Sequence, residues 1–299
     1  MKIAVTGATG FIGRYIVRHL AHQGHTCRCW LRPESDRSGL EDLADQLEWL
    51  PGELDDKLAC RDLVDSCNAV VHAALYRPGP TFRGGEGDLK TFVEKNVVGT
   101  IELIEAVRAA GTARFVFISS CSVHEVILDD RPLDETHPTL ATSHYGAHKA
   151  AIEQFVYSYG LGKGYPICAL RPTGVYGLAH PPTDSKWFDL VQAVVRGQPV
   201  DCRSGGKEVH AADVAKAVHI LLSADGIAGQ AYNCYDRYIS DLDVAQLAKR
   251  LACSPSQING SQTAPKHQIF TYKLRKLGMQ FGGQQLFEGT IREPVKAAG

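Results

Sequence analysis

The chain has 299 residues, of which 44% are hydrophobic and 22% charged, and its formal net charge is −1. This composition is typical of a globular protein with a large core, and it gives no electrostatic reason to expect a nucleic-acid partner. No stretch has the length of a membrane-spanning helix and no cleavable signal precedes the first strand, so we expect no membrane partner and a cytoplasmic location.

A short apolar strand at the start of the chain runs into a glycine turn and then directly into a helix. Gly7, Gly10 and Gly13 are spaced three apart in this turn. Glycines let the backbone approach a phosphate closely, and the N-terminus of a helix offers free N–H groups and a positive dipole end. The turn therefore predicts a pyrophosphate site, in which Gly7 makes the tight turn, Gly10 the close approach and Gly13 the helix–strand contact.

Strands and helices alternate after this turn. Five further strands are predicted, at residues 27–31, 46–50, 69–73, 115–119 and 166–170. Helices are predicted near residues 58–66, 89–110 and 145–160. Near-continuous apolar strands that alternate with helices specify a parallel sheet covered on both faces. The predicted fold class is α/β, a doubly wound parallel sheet (Rossmann) with a smaller C-terminal substrate lobe.

The regular alternation ends after Arg171, where segments with proline and glycine follow. We predict a dinucleotide-binding domain at residues 1–170, to which residues 205–232 return, and a substrate-binding lobe formed by residues 171–204 and 233–299. The nine cysteines show no C-x-x-C spacing. His144 and His148 stand four apart on a predicted helix, but no third ligand accompanies them at a recognisable spacing, so no metal site is expected.

Ser120, Tyr145 and Lys149 form a second group of candidate site residues. Ser120 closes the strand at 115–119, and Tyr145 and Lys149 stand four apart on the next helix, so they share one face. An ammonium close to a phenol favours the phenolate and lowers its pKa from about 10. Ligands of open α/β sheets bind outside the carboxyl ends of the strands, where Ser120 lies.

On these residues the chain resembles the extended short-chain dehydrogenase/reductase superfamily, in its NAD-dependent epimerase/dehydratase group. Further motifs that carry the resemblance are His72-Ala73-Ala74, Asn96-Val97-Val98-Gly99-Thr100, Ser119-Ser120 and Leu170-Arg171-Pro172-Thr173-Gly174-Val175-Tyr176-Gly177. The resemblance implies that Tyr145 is the general acid/base, that Lys149 holds the nicotinamide ribose and lowers the pKa of Tyr145, and that Ser120 hydrogen-bonds the reacting oxygen. The implied cofactor-binding residues are Gly7, Thr9, Gly10, Phe11, Ile12, Gly13, Arg32, Glu53, Leu54, His72, Ala73, Ala74, Asn96, Tyr145, Lys149 and Pro172.

The choice of cofactor depends on the end of the second strand, which reads Trp30-Leu31-Arg32-Pro33. An acidic residue at this place accepts from the ribose 2′-hydroxyl of NAD, whereas an arginine accommodates the 2′-phosphate of NADP. Arg32 resembles the arginine of the dihydroflavonol-reductase-like branch and favours NADP. Glu34 and Asp36 follow closely and keep NAD open.

The predicted function is an NAD(P)-dependent oxidoreductase that transfers hydride to or from a carbonyl or alcohol substrate. A nucleotide-sugar epimerase and a non-catalytic NAD(P)-sensing module are the alternatives. Relatives that are 4,6-dehydratases carry Asp-Glu where this chain has Cys121-Ser122, so a dehydratase is disfavoured. A sugar-nucleotide substrate would need Lys207 or Arg203 in place of the arginine that such relatives carry. Two helices, one ending near residue 110 and one with Tyr145, resemble those of homodimeric relatives, so a homodimer is expected.

His124 and Glu125 depart from the Val-Tyr-Gly that usually follows the serine in this family. They are either additional acid/base groups near the substrate or polar residues of a loop.

Overall fold

The computed structural model describes residues 1–79 and 81–296. Its strands are β1 (Lys2–Thr6), β2 (Thr26–Leu31), β3 (Leu47–Pro51), β4 (Ala69–His72), β5 (Arg114–Ile118), β6 (Ile167–Pro172), β7 (Gly174–Tyr176), β8 (Val200–Cys202), β9 (Gly205–His210), β10 (Gln230–Cys234), β11 (Arg237–Ser240) and β12 (Ile258–Gly260). Its α-helices are α1 (Phe11–His22), α2 (Lys57–Val64), α3 (Leu89–Val93), α4 (Gly99–Ala109), α5 (His144–Lys163), α6 (Phe188–Val195), α7 (Ala211–Leu221), α8 (Asp241–Ala252), α9 (Tyr272–Lys276) and α10 (Gly283–Lys296).

The predicted doubly wound fold is confirmed. Seven parallel strands form one sheet in the order β10-β6-β5-β4-β1-β2-β3. The predicted strands recur with ends that differ by one or two residues. β10 was not predicted, because Gln230, Asn233 and the tyrosine between them interrupt its apolar pattern. The chain reverses its direction of travel across the sheet between β1 and β4, which is the place where such sheets bind ligands.

Burial explains why the sheet carries helices on both faces. Every residue of β4 and β6 is buried, and four of the five residues of β1 are buried. Strands buried on both sides require helices above and below them. In α1 the buried stripe is Gly13, Ile16, Val17, Leu20 and Ala21, which has helical spacing and faces the sheet.

The predicted helix at residues 89–110 is not uniform. A π-helical turn at Glu94–Val98 separates α3 from α4. Such a turn has one residue more than an α-turn and often occurs at functional sites. Side-chain periodicity did not reveal it, because a single wide turn shifts the apolar pattern by only one residue.

The chain divides into two compact units. Unit 1 contains Met1–Pro172, Val214–Cys234 and Ile269–Met279, and unit 2 contains Thr173–Asp213, Tyr235–Gln268 and Gln280–Gly299. Residues 205–232 were predicted to return to the dinucleotide-binding domain. In the structure the segments that return to unit 1 start at Val214, and Gly205–His210 forms β9 of the second unit. The substrate-binding function of the second unit stays a prediction, and its last residues, 297–299, lie outside the described residues.

Each unit has its own core. In unit 1, apolar side chains from the sheet and its helices pack together, including Val70, Leu103, Phe115 and Ile152. In unit 2, a three-stranded sheet in the order β11-β9-β7 accompanies a core with Tyr176, Trp187, Val244 and Phe287. All candidate catalytic and cofactor-binding residues belong to unit 1, whereas Lys207 and Arg203 belong to unit 2.

Candidate functional site

The glycine turn between β1 and α1 is tight at each of its glycines. Gly7 has φ of +72°, and a Cβ there would lie 2.7 Å from the Ala74 nitrogen. Gly10 N donates to Gly7 O at 3.0 Å. A Cβ on Gly13 would lie 1.9 Å from Gly7 O, so α1 can start this close to β1 only with glycine at 13.

The start of α1 is suited to an anion. Its cap residue, Gly10, provides no side-chain hydrogen bond, and the first turn contains no acidic residue. The N–H groups of the first turn have no partner within a helix, so Phe11 and Ile12 present backbone donors beside Thr9. A dinucleotide pyrophosphate fits this arrangement, because a Cβ would close the turn at Gly7 and a cap side chain would occupy the donors.

His72 joins the carboxyl ends of β1 and β4 through a chain of hydrogen bonds. Thr100 Oγ1 donates to Asn96 O at 2.5 Å and therefore accepts from His72 Nε2 at 2.9 Å. His72 Nδ1 then accepts from Thr6 Oγ1 at 2.7 Å, and Thr6 Oγ1 accepts from Ala74 N at 3.1 Å. Burial lowers the pKa of His72 to about 3, so the ring is neutral. Both ring nitrogens are engaged inside the protein, so this side chain positions Thr6 and Ala74.

Asn96 lies in the π-helical turn and is buried. Its Oδ1 accepts from Tyr76 N at 2.8 Å, and its Nδ2 donates to Tyr76 O and Phe92 O, both at 2.9 Å. Ala73 is the first residue after β4, and its nitrogen donates to Thr6 O at 3.2 Å. Asn96 therefore fixes the segment that follows β4 against the helix.

Arg32 lies at the carboxyl end of β2, as expected for a residue that selects the cofactor. Its side chain is 52% exposed and pairs with Glu34 at 3.1 Å. Its backbone nitrogen donates to the Ser35 hydroxyl at 3.1 Å. A half-exposed guanidinium with one weakly held partner can still bind a phosphate.

Arg14 is a residue of this region that sequence reasoning missed. Its Nε donates to Thr9 O at 3.0 Å, and its two terminal nitrogens donate to Ser38 O at 2.5 Å and Asp36 O at 2.8 Å. Arg14 thus ties the loop after β2 to the glycine turn. Helical spacing predicted only that position 14 lies on α1, and two of the three carbonyls, those of Asp36 and Ser38, are more than twenty residues away in the chain.

Glu53 and Leu54, two of the implied cofactor-binding residues, follow β3. Leu54 is buried. The Glu53 carboxylate is 59% exposed, and Lys95 Nζ donates to it at 3.1 Å and to Asp55 Oδ1 at 3.2 Å. The Glu53 carboxylate therefore forms an ion pair with Lys95, a lysine of the π-helical turn.

Ser120 and Tyr145 meet at the carboxyl end of β5. Ser120 caps the 3₁₀ turn Cys121–His124, where its hydroxyl accepts from Ser122 N at 3.1 Å and is close enough to the Tyr145 phenol to lower its pKa. Burial raises the pKa of Tyr145 above its usual value, while the Ser120 hydrogen bond and the charges of Arg83 and Arg77 lower it. The lowering of this pKa by Lys149, which the resemblance implies, stays a prediction.

Lys149 is buried one helical turn after Tyr145. Its Nζ donates to Ile118 O at 2.8 Å and lies 4.6 Å from the centre of the Phe117 ring. Burial lowers the pKa of Lys149 to about 7, against the attraction of Glu153. The ammonium is therefore aimed at the end of β5.

A buried ion pair behind Lys149 was not predicted. Glu153 and Arg171 are both fully buried, and Arg171 donates to the Glu153 carboxylate from Nε at 2.9 Å and from Nη2 at 2.5 Å. Ser119 Oγ also donates to Glu153, at 2.5 Å. Arg171 precedes Pro172, the last residue of β6, so this pair connects α5 to the ends of β5 and β6.

His124 and Glu125 have structural roles in the described residues. His124 is buried, its Nδ1 donates to Pro138 O at 3.1 Å, and its Nε2 accepts from Arg171 at 3.1 Å. Burial lowers the pKa of His124 to about 4. Glu125 accepts four hydrogen bonds from Thr142 and Ser143, the residues before α5. The interpretation as polar loop residues is the one that these contacts support.

His148 packs its ring edge-on against Phe92, with centres 4.9 Å apart, and lies 5.3 Å from the Tyr145 ring. Burial lowers its pKa to about 2. Within residues 1–79 and 81–296 no three histidines, cysteines or carboxylates are grouped as metal ligands, and no helix there is long and apolar enough to cross a membrane.

Known proteins are similar to this chain in sequence and in fold. The family described as NAD-dependent epimerase/dehydratase matches residues 3–234. A 3 beta-hydroxysteroid dehydrogenase/Delta 5→4-isomerase of Mycobacterium tuberculosis is 31% identical over 196 residues, which are 64% of this chain and 51% of that protein. Cinnamoyl-CoA reductase 1 of Petunia hybrida is 25% identical over 300 residues, which are 93% of this chain and 87% of that protein.

Among solved structures, a UDP-glucose 4-epimerase of Thermus thermophilus in complex with NAD matches with a TM-score of 0.74 and 22% identity, covering 99% of this chain and 98% of that chain. This likeness supports the fold. The chain spans about half the length of the mycobacterial relative.

Proposed function

The chain belongs to the NAD-dependent epimerase/dehydratase family, and from this membership we propose that it is an NAD(P)-dependent oxidoreductase acting on a carbonyl or alcohol. The observation that carries the proposal is the placement of Ser120 beside the buried Tyr145 phenol, where it lowers the pKa of that phenol, at the carboxyl end of β5 with Lys149 one helical turn away. A phenol, a hydroxyl and a buried ammonium at this end of a parallel sheet are the groups that move a proton to and from a substrate oxygen.

The glycine turn and the uncapped start of α1 would hold the pyrophosphate of the cofactor, because a Cβ at Gly7 or Gly13 would fill the turn. When bound, the nicotinamide cofactor supplies or accepts the hydride. Asn96 and His72 would hold the backbone after β4 and β1 in place beside it.

Tyr145 would donate its phenolic proton to the carbonyl oxygen during reduction and take a proton from the alcohol during oxidation. Ser120 would hold the same oxygen by a hydrogen bond. Burial keeps the Tyr145 phenol protonated at neutral pH, which suits a proton donor.

NADP is the proposed cofactor. The support is Arg32, which is half-exposed at the end of β2 and pairs across the surface with Glu34. A guanidinium in this position binds a 2′-phosphate through charge-assisted hydrogen bonds.

The test is to strip purified protein of cofactor and follow nicotinamide absorbance with NADPH and a set of carbonyl compounds. We expect stoichiometric consumption of NADPH, and a loss of turnover of at least about a hundredfold in Tyr145→Phe with cofactor affinity nearly unchanged. Tyr272→Phe, at an exposed tyrosine of unit 1, is the control.

Full activity in Tyr145→Phe would exclude the proposed acid/base. Tightly retained cofactor together with isomerisation of a sugar nucleotide and no net redox change would identify an epimerase instead. Cofactor binding without turnover on either class would identify a sensing module. The homodimer and the cytoplasmic location stay predictions. Size-exclusion chromatography with light scattering tests the homodimer.

A further inference from the structure

An exposed aromatic ring lies beside the proposed acid/base. Phe82 is 55% exposed, and its ring centre lies 5.5 Å from that of Tyr145, with the rings tilted by 55°. The Arg77 guanidinium lies 4.4 Å from the centre of the same ring. More than half of this side chain is open to solvent, and because it lies next to a reacting group it can contact the substrate.

Phe82 is held in place by its neighbour. Arg83 pairs with Glu125 at 3.0 Å, and Arg83 also donates to the Ser122 hydroxyl at 3.4 Å. The Glu125 side chain is only 7% exposed, whereas that of Arg83 is 62% exposed. Glu125 therefore acts as a buried anchor for a residue on the surface.

The anchor is itself fixed to the helix that carries Tyr145. Glu125 accepts from Thr142 N at 2.5 Å and from Ser143 N at 2.7 Å, and the hydroxyls of both residues donate to it as well. Ser143 caps α5 by accepting from Gly146 N. One carboxylate thus sets the start of α5 and, through Arg83, the position of Phe82 relative to Tyr145.

We propose that Phe82 is a specificity-determining residue of the substrate site, which takes an apolar or aromatic flank of the carbonyl substrate, and that Glu125 and Arg83 are positioning residues that hold its ring beside Tyr145. The proposal rests on the proposed function and adds the chemical class of the substrate. A ring contact beside the reacting carbonyl favours substrates whose carbonyl carries an apolar group, since a polyhydroxylated flank would lose hydrogen bonds to water against Phe82.

Two carbonyl probes test whether the site prefers an apolar or a polyhydroxylated flank. Benzaldehyde carries an apolar group on its carbonyl, and glyceraldehyde carries a hydroxylated one. In the full-length protein with NADPH, we expect Phe82→Ala to lower kcat/KM for benzaldehyde by about three- to tenfold, mainly through KM, and to change kcat/KM for glyceraldehyde by less than about twofold. Tyr272→Ala is the matched control, because Tyr272 is also an exposed aromatic residue stacked on a second ring. An equal effect of Phe82→Ala on both probes overturns the proposal.

The holding pair is tested by combining substitutions. Arg83→Gln should reproduce part of the loss in kcat/KM for benzaldehyde that Phe82→Ala causes. Arg83→Lys keeps the positive charge and should therefore keep kcat/KM for benzaldehyde close to that of the unmodified protein. Phe82→Ala combined with Arg83→Gln should be no worse than Phe82→Ala alone, since both act on one ring contact. Independent, additive losses would contradict the assignment of Arg83 as a positioning residue.

Failure of this inference is distinguishable from failure of the proposed function. If the unmodified protein reduces neither probe, binding of 4-fluorobenzaldehyde to the protein saturated with NADP is followed by ¹⁹F NMR. Weaker binding in Phe82→Ala than in Tyr272→Ala supports the ring contact without turnover, and equal binding in the two variants overturns it. Reduction of both probes with unchanged selectivity in Phe82→Ala leaves the proposed function standing and removes Phe82 from the site.

Discussion

A buried ammonium is costly, and Lys149 carries one inside the candidate site. Only 4% of the residue is exposed, and burial lowers its pKa from 10.5 to about 7. The backbone oxygen of Ile118 and the ring of Phe117 offset part of this cost. Such a residue is maintained at the expense of stability, as residues of functional sites often are.

Replacing Lys149 by methionine should therefore give a pH-dependent change in stability. The folded protein holds the proton less tightly than the unfolded chain, so the wild type gains stability as pH rises from about 7 towards 10.5 and Lys149→Met does not. We expect the stability of the variant relative to the wild type to fall by up to about 1.4 kcal/mol per pH unit in this window. Urea denaturation at pH 7, 8 and 9 measures it, and parallel pH profiles for the two proteins would contradict the buried charge.

Arg32 should decide between the two cofactors. We expect NADPH to bind more tightly than NADH by about tenfold or more, and Arg32→Asp to reverse this preference, because the guanidinium meets the 2′-phosphate. Calorimetric titration with each cofactor gives the dissociation constants. Arg131→Asp is the control, since its side chain is 47% exposed against 52% for Arg32 and it pairs with an adjacent aspartate. Equal constants in the unmodified protein would remove Arg32 from the site.

At the scale of elements, α5 presents one functional stripe. Tyr145, Lys149 and Glu153 follow one another at intervals of four, so they lie on one side of the helix. Glu153 pairs with Arg171 of β6 and accepts from Ser119 at the end of β5. The rotation of α5 about its axis is thus fixed by a buried pair one turn beyond Lys149.

Breaking the Glu153–Arg171 pair should strongly destabilise the folded protein. Glu153→Gln leaves the buried Arg171 guanidinium without its carboxylate, so we expect a loss of about 3–5 kcal/mol in the free energy of unfolding. Lys90→Gln serves as control, because it removes an exposed pair with Glu94 and should cost no more than about 0.5 kcal/mol. Chemical denaturation at one pH compares the variants, and a loss below about 1 kcal/mol in Glu153→Gln would show that α5 is held in another way.

At the scale of the whole molecule, several buried histidines are held neutral. Burial lowers the pKa of His72 to about 3, of His124 and His210 to about 4, and of His148 to about 2. These rings lie in both units, and none is exposed by more than 6%. Their hydrogen bonds and packing suit the uncharged imidazole.

Acid should therefore destabilise the protein as soon as the pH falls below about 6.5. The unfolded chain takes up protons on these rings near pH 6.5 and the folded protein does not, so stability is full above pH 6.5 and is lost as pH falls below it. Each histidine contributes up to about 1.4 kcal/mol per pH unit, down to its folded pKa. Urea midpoints at pH 7.5, 6.5 and 5.5 measure this slope, which His72→Asn should reduce and His22→Asn, at an exposed histidine, should not. A flat profile between pH 7 and 5 would contradict it.

The sequence by itself determined the alternation of β1–β6 with helices, the parallel arrangement of these strands and the glycine turn. Apolar periodicity reports burial within one element, and Gly7, Gly10 and Gly13 show their spacing without any knowledge of the fold. The shared face of Tyr145 and Lys149 follows from helical geometry alone. These features are local, so neighbouring residues in the chain were sufficient to predict them.

Only the tertiary structure decided what the polar side chains contact. Arg14 reaches carbonyls beyond β2, Glu153 meets Arg171 across two elements, and Glu125 connects the start of α5 with Arg83. Each of these partners is far away in sequence, and their pairing depends on which loops the sheet brings together at its carboxyl edge. The pKa of Tyr145 was likewise settled in three dimensions, because burial of the phenol depends on the whole surrounding fold and outweighs the local charges.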